Sequence, residues 1–180
     1  MEMSSSRTIP ASQEQTWQAL NDPEVLKAAI PGCESIEKLS ETEYQIVMAA
    51  KVGPVSARFR GRMLLSDIDA PSAYTLTFEG QGGAAGFAKG GASVRLVPED
   101  HGTTRLEYTV NAQVGGKLAQ IGSRLIDGAA KKMADEFFAA FAAQLAGGPE
   151  GSAAGTDATV PGDGADGGAK KRGWWRRRRE

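Results

Sequence analysis

His101 is the only histidine of this 180-residue chain, and Cys33 is its only cysteine. Acid–base or nucleophilic catalysis through either one needs a second group within hydrogen-bond reach, and the sequence places none there. His101 stands in EDHG, a run of turn-forming residues. Cys33 stands in PGCE, a turn between the second short helix and the sheet, where a lone thiol reads as a small, partly buried side chain. One cysteine excludes an internal disulfide framework and a multi-cysteine zinc site. Asp67 and Asp69 are spaced by two, as are Glu41 and Glu43. That spacing puts each pair on one side of a strand, but both pairs lie near turns and read as solvated. The glycine-rich stretch Gly80–Gly91 superficially resembles a phosphate loop. It lacks the GK[ST] ending and joins strands instead of opening a helix. The residues therefore predict no catalytic constellation and no metal site.

Charge points to binding instead. Arg58, Arg60 and Arg62 alternate along one run and share a sheet face. They could dock phosphate or an acidic partner, or form a solvated face paired with neighbouring carboxylates. The stronger signal is KKRGWWRRRRE at Lys170–Glu180: Lys170, Lys171, Arg172, Trp174, Trp175, Arg176, Arg177, Arg178 and Arg179, with Gly173 and Glu180. Seven basic residues against one acidic leave this segment at +6, whereas 14 basic against 21 acidic leave residues 1–169 at −7. Such asymmetry marks an interaction tail. Basic residues near an anionic bilayer contribute about 1 kcal/mol each, and Trp favours the headgroup region. An acidic protein partner or nucleic acid would attract the same charges, and a solubilising role is also open. The acidic body argues against nucleic acid. MEMSSSRTIP at the start has no apolar core of a secretory signal, and no run approaches the ~18 apolar residues of a spanning helix. The expectation is a cytoplasmic protein that meets the inner face of the membrane peripherally.

The elements that would position these residues are legible from periodicity. Residues 3–9 predict a strand ended by Pro10, and Ser12 caps a short helix through Asn21. Pro23 opens a second short helix to about Ala29, and Pro31-Gly32 turns the chain. Period-two runs follow: Tyr44, Ile46, Met48, Ala50 and Val52; then Ala57, Phe59, Gly61, Met63 and Leu65 opposite the three arginines. Tyr74, Leu76 and Phe78 continue the series, then Val94 and Leu96, then Leu106, Tyr108 and Val110. After Gly115-Gly116 the period becomes 3.6: Leu118, Ile121, Leu125, Ala129, Met133, Phe137, Phe141 and Leu145 make one stripe, a helix of about 40 Å. With no helical partner of its own length, that stripe must pack on the sheet. The architecture is α+β, a curved antiparallel sheet wrapped around one long C-terminal helix with two short helices. Residues 1–146 form this domain. Residues 147–169, rich in Gly, Ala and Asp, read as a disordered linker with a reach of roughly 25–30 Å, and residues 170–180 are the tail. If the sheet curls away from part of the helix, a cavity remains. Its inward set would be Met48, Phe59, Met63, Phe78, Tyr108, Leu118, Ile121, Leu125 and Phe137, joined by Phe87 from the glycine-rich stretch. This lining suits an apolar ligand with one or two polar atoms. The same residues serve equally as plain core, depending on how wide the sheet opens.

PGCESIEKL, then KVGPVSARFRGRMLLSDIDAPSAYTLTFEGQGGAAGFAKGGASVRL, then VGGKLAQIGSRLIDGAAKKMADEFF resemble the CoxG family of carbon monoxide dehydrogenase subunits. That family lies within the SRPBCC, or START/Bet v 1-like, superfamily of helix-grip folds. The resemblance covers about residues 2–146. It implies a non-catalytic accessory protein that brings a carbon monoxide dehydrogenase-type molybdenum hydroxylase to the cytoplasmic membrane. The superfamily fold implies an apolar ligand cavity. Together they imply a bound respiratory quinone such as menaquinone, and no catalytic cofactor. Anionic inner-leaflet lipid would hold the tail, which departs from the apolar anchor found in many members. A purely structural recruitment factor, and a small cyclase- or hydratase-like enzyme, are the alternatives.

Overall fold

In a computed structural model, residues 1–147 are described. The linker and tail readings, apart from Gly147, lie outside the described residues. Seven strands form one antiparallel sheet: β1 (Glu2–Ile9), β2 (Cys33–Lys38), β3 (Glu43–Val52), β4 (Val55–Asp69), β5 (Ala73–Gln81), β6 (Phe87–Pro98) and β7 (Thr104–Gly115). Their order is β1-β7-β6-β5-β4-β3-β2. The five strands from β3 to β7 therefore follow one another as a meander, and β1 and β2 form its edges. Between β1 and β2 come α1 (Gln13–Leu20) and α2 (Pro23–Ala29). After β7 come α3 (Lys117–Gln120) and α4 (Ser123–Ala146). This is the expected α+β plan.

Local chemistry accounts for the short helices. Ser12 Oγ accepts the amide of Gln15 at 3.2 Å, and Gln15 Oε1 accepts the amide of Ser12 at 3.1 Å. This reciprocal box satisfies two amides that a helix start leaves unpaired, and it stabilises α1 by about 1 kcal/mol. Asp22 Oδ1 accepts the Glu24 amide at 2.9 Å, and Pro23 occupies the first helical position of α2, where no amide is needed.

The core lies where the C-terminal half of α4 meets the sheet. Phe141 and Tyr44 are 0% exposed, and Ile9, Leu96 and Leu106 are buried beside them. Phe141 stacks on Phe137 with centroids 5.6 Å apart, and Trp17 meets Tyr74 edge-on at 5.5 Å. Two polar groups of the core find partners: Thr104 Oγ1 donates to the Ala11 carbonyl at 2.8 Å, and the Tyr44 hydroxyl to the Asn21 carbonyl at 3.1 Å. Gln144 donates to the Val25 carbonyl at 3.1 Å and ties α4 to α2, while Arg7 pairs with Asp135 and ties it to β1.

Three expectations change. The long helix is not continuous from Leu118. It breaks at Ile121-Gly122, where Gly122 adopts φ 93 and ψ 149, outside any helix. Within α4 the four-residue spacing of the stripe overshoots the 3.6-residue turn and drifts round the helix, so Leu125 is 49% exposed and Ile126, at 8%, takes the inward place. The glycine-rich stretch is shorter than its composition suggests. A single 3-10 turn at Gly83–Ala85 suffices, and β6 already begins at Phe87. Cys33, read as a turn residue, is the first residue of β2.

Candidate functional site

Above the middle of the sheet, the N-terminal half of α4 does not reach the strands. One register row shows why. Ile46 of β3 stands opposite Gly61 of β4, Gly61 opposite Gly80 of β5, Gly80 opposite Ala88 of β6, and Ala88 opposite Val114 of β7. The centre of that row has almost no side chain. Gly61 is obligatory, since a Cβ there would lie 2.8 Å from the Glu79 carbonyl oxygen. From above, the helix offers Ile126, Ala129, Ala130 and Met133. Small residues thus face small residues, and a cavity of about 420 Å³ remains. Its lining is apolar: the charged residues at its edge, Arg62 and Glu79, occupy outward positions of their strands and are exposed.

Met48, Phe59, Met63, Phe78 and Leu118 line this cavity. Five other candidates do not, each for an identifiable reason. Tyr108 faces inward, but under the C-terminal half of α4, where it stacks on Phe138 at 5.1 Å. Its hydroxyl is buried with no hydrogen-bond partner among the described residues. Phe137 is held between Phe138 and Phe141. Phe87 stands on the outer face; its ring covers Gly115, and the Lys89 ammonium lies 5.8 Å from its centroid. Ile121, at the helix break, and Leu125, on the outer side of α4, lie over Gly53 outside the cavity. The candidate set also left out Met1, Met3 and Ile30, and the wall further includes Ile46, Val52, Val110 and Val114. The available signal was the run of Gly and Ala at inward positions 61, 80, 88 and 112, because an empty row in a concave sheet is volume.

The remaining chemistry-bearing residues lie apart from the cavity. His101 is exposed in the β6–β7 turn. Burial pushes the Cys33 thiol up, which lowers the thiolate fraction that nucleophilic or redox chemistry requires. Asp67 and Asp69 are exposed. Glu43 instead pairs with Arg62, and Arg58 pairs with Glu34 at 2.8 Å. The arginine row is thus largely a paired outer face. Among the described residues, no group of three or more His, Cys, Asp or Glu could hold a metal ion, and no helix is long and apolar enough to cross a membrane.

Comparison with known proteins agrees with this geometry. No curated protein sequence is a significant match. A conserved protein from Geobacillus kaustophilus is similar in structure, with a TM-score of 0.77 and 31% identity, over 82% of this chain and 96% of that one. A START superfamily protein from Mycobacterium smegmatis shares the fold, with a TM-score of 0.63 and 13% identity, over 81% of this chain and 97% of its own. So does the Zhui aromatase/cyclase from Streptomyces sp. R1128, at 0.62 and 11%, over 81% and 93%. The fold is the START/Bet v 1-like helix grip. The model of the CoxG family of carbon monoxide dehydrogenase subunits matches residues 6–146, and the chain belongs to that family.

Proposed function

We propose that the domain is a non-catalytic carrier. It holds a respiratory quinone such as menaquinone in the cavity and links a carbon monoxide dehydrogenase-type molybdenum hydroxylase to the cytoplasmic membrane. The observation that carries this reading is the apolar cavity of about 420 Å³, within the range of small-molecule sites. A prenylated quinone combines an apolar chain with two carbonyl oxygens, and so matches an apolar cavity with Arg62 and Glu79 at its edge. Family membership supports the choice of partner enzyme. A related fold serves an aromatase/cyclase, and a similar activity here would need an acid or base against the ligand. Glu107 accepts from Arg105 on the outer face at 3.0 Å, and Asp127 is exposed, so neither carboxylate stands against the cavity, which supports the carrier reading.

Organic extraction of the purified full chain, followed by mass spectrometry, is expected to yield a prenyl quinone. A protein that releases none and takes up no added menaquinone is a structural anchor and not a carrier.

The basic tail would supply the membrane contact, with Trp174 and Trp175 in the headgroup region and the Lys and Arg at anionic lipid. Deleting residues 170–180 is expected to abolish sedimentation with phosphatidylglycerol vesicles and to leave quinone uptake unchanged. Sedimentation at the level of the intact chain would remove the tail from the membrane contact.

A further inference from the structure

The cavity has a polar annex on one side. β2 pairs with β3 from Lys38↔Tyr44 to Cys33↔Met48 and no further. The distal part of β3, Ala49–Val52, pairs with β4 on one edge but has no strand on the β2 side, where the next element across the gap is α4. A second hollow of about 560 Å³ occupies this gap. It shares Ala50, Ala129 and Met133 with the apolar cavity, so the two adjoin. Gly128 widens the gap: a Cβ there would meet nothing within 4 Å.

The charges around this hollow differ from those of the rest of the domain. Residues 1–147 carry 14 basic and 17 acidic side chains, a net of −3. The hollow is lined by Lys51, Arg124, Lys132 and Glu136, a net of +2. Glu136 is already engaged by Lys132 at 3.7 Å. Lys51 and Arg124 have no ion-pair partner among the described residues. Two sets of backbone amides add to this. The Ala49 amide donates to the Gly32 carbonyl at 2.9 Å. By the alternation of a strand, the Lys51 amide faces the same open edge. The first turn of α4 bears Arg124 and Leu125 and has no side-chain cap at Gly122, so its amides and dipole favour negative charge there.

We infer that this hollow is the head-group site of the cavity's ligand. It takes a head with hydrogen-bond-accepting oxygens, and binds best when that head is anionic, while a single apolar chain fills the inner cavity. The inference rests on the carrier reading and adds a preference that the apolar cavity alone cannot have. Leu125, half exposed beside Arg124, also lines the hollow, where an apolar surface next to a cation suits an amphiphile.

Three amphiphiles of equal chain length test it: laurate, dodecanol and dodecyltrimethylammonium. Each is titrated calorimetrically, below its micelle concentration, into the full chain and into a Lys51→Glu, Arg124→Glu variant. Both positions are exposed, so the variant should keep the wild-type circular dichroism. Laurate is expected to bind about tenfold more tightly than the ammonium compound, and the variant to reverse that order. The basic tail is common to both proteins, so a change of order belongs to the hollow. Equal binding of all three, or an order unchanged in the variant, overturns the head-group site and leaves the apolar cavity standing. Binding of none overturns both readings.

Discussion

Filling the floor of the cavity is expected to reduce menaquinone uptake at least about tenfold while the fold stays intact. The variant is Gly80→Val with Ala88→Leu, two inward residues that face each other across β5 and β6. Together they add six carbons to an apolar space. A Cβ at Gly80 meets nothing closer than 3.9 Å, so the backbone need not move. Each buried methylene is worth about 0.8 kcal/mol when it replaces an apolar void instead of crowding a filled core. The melting temperature should therefore hold or rise. A ligand carried as proposed would, by contrast, lose the floor beneath its chain. A tenfold loss needs only about 1.4 kcal/mol, less than the cost of displacing two carbons' worth of contact. Uptake from detergent solution, quantified by extraction, provides the measurement beside a thermal melt. A folded variant with wild-type uptake would place the ligand elsewhere on the protein.

Phe141→Ala is expected to lower the unfolding free energy by about 3–5 kcal/mol. Domains of this size are typically stable by about 5–15 kcal/mol, so the loss is a large share of the total. The ring is 0% exposed, stacks on Phe137 and belongs to the same cluster as Tyr44, Leu96 and Leu106. No large side chain can swing in, because its neighbours are already paired with one another. Leu125→Ala, on the same helix but half exposed, should change stability by no more than about 0.5 kcal/mol. Urea denaturation of both variants gives the contrast. A Phe141→Ala loss below about 1 kcal/mol would contradict a core centred on the C-terminal half of the helix.

The sheet was legible in the sequence because one of its faces is wet. Arg58, Arg60 and Arg62 alternate with Phe59, Gly61 and Met63, and one slip of register would expose the whole apolar set. Met48, Phe59, Met63 and Phe78 followed from that alternation and line the cavity. Phe87 did not follow, because alternation cannot be read through a run of glycines, and its side chain falls on the outer face. Tyr108 and Phe137 show a different limit. Both face inward as their periodicity required, but facing inward does not say which part of the helix lies above. That depends on where α4 crosses the sheet, a tertiary property. Ile121 was lost to Gly122, whose left-handed backbone ends one helix before the next begins. Leu125 was lost to drift: a stripe read at every fourth residue turns about 40° per step around a 3.6-residue helix, so its far end reaches the outer face. The hollow beside β3 was not legible at all, because it depends on β2 ending at Cys33↔Met48.

The uneven footing of α4 has a mechanical consequence. Phe137, Phe138, Phe141 and Leu145 weld one end of the helix into the core, along with the Gln144 and Asp135 ties. The other end rests on Ile126, two alanines and Met133 above empty space. The helix is a cantilever. Lifting its free end forfeits a few small contacts, while the aromatic clamp that holds the domain together bears none of the load. On the carrier reading, a cargo would be exchanged at one end of this domain without unfolding the other.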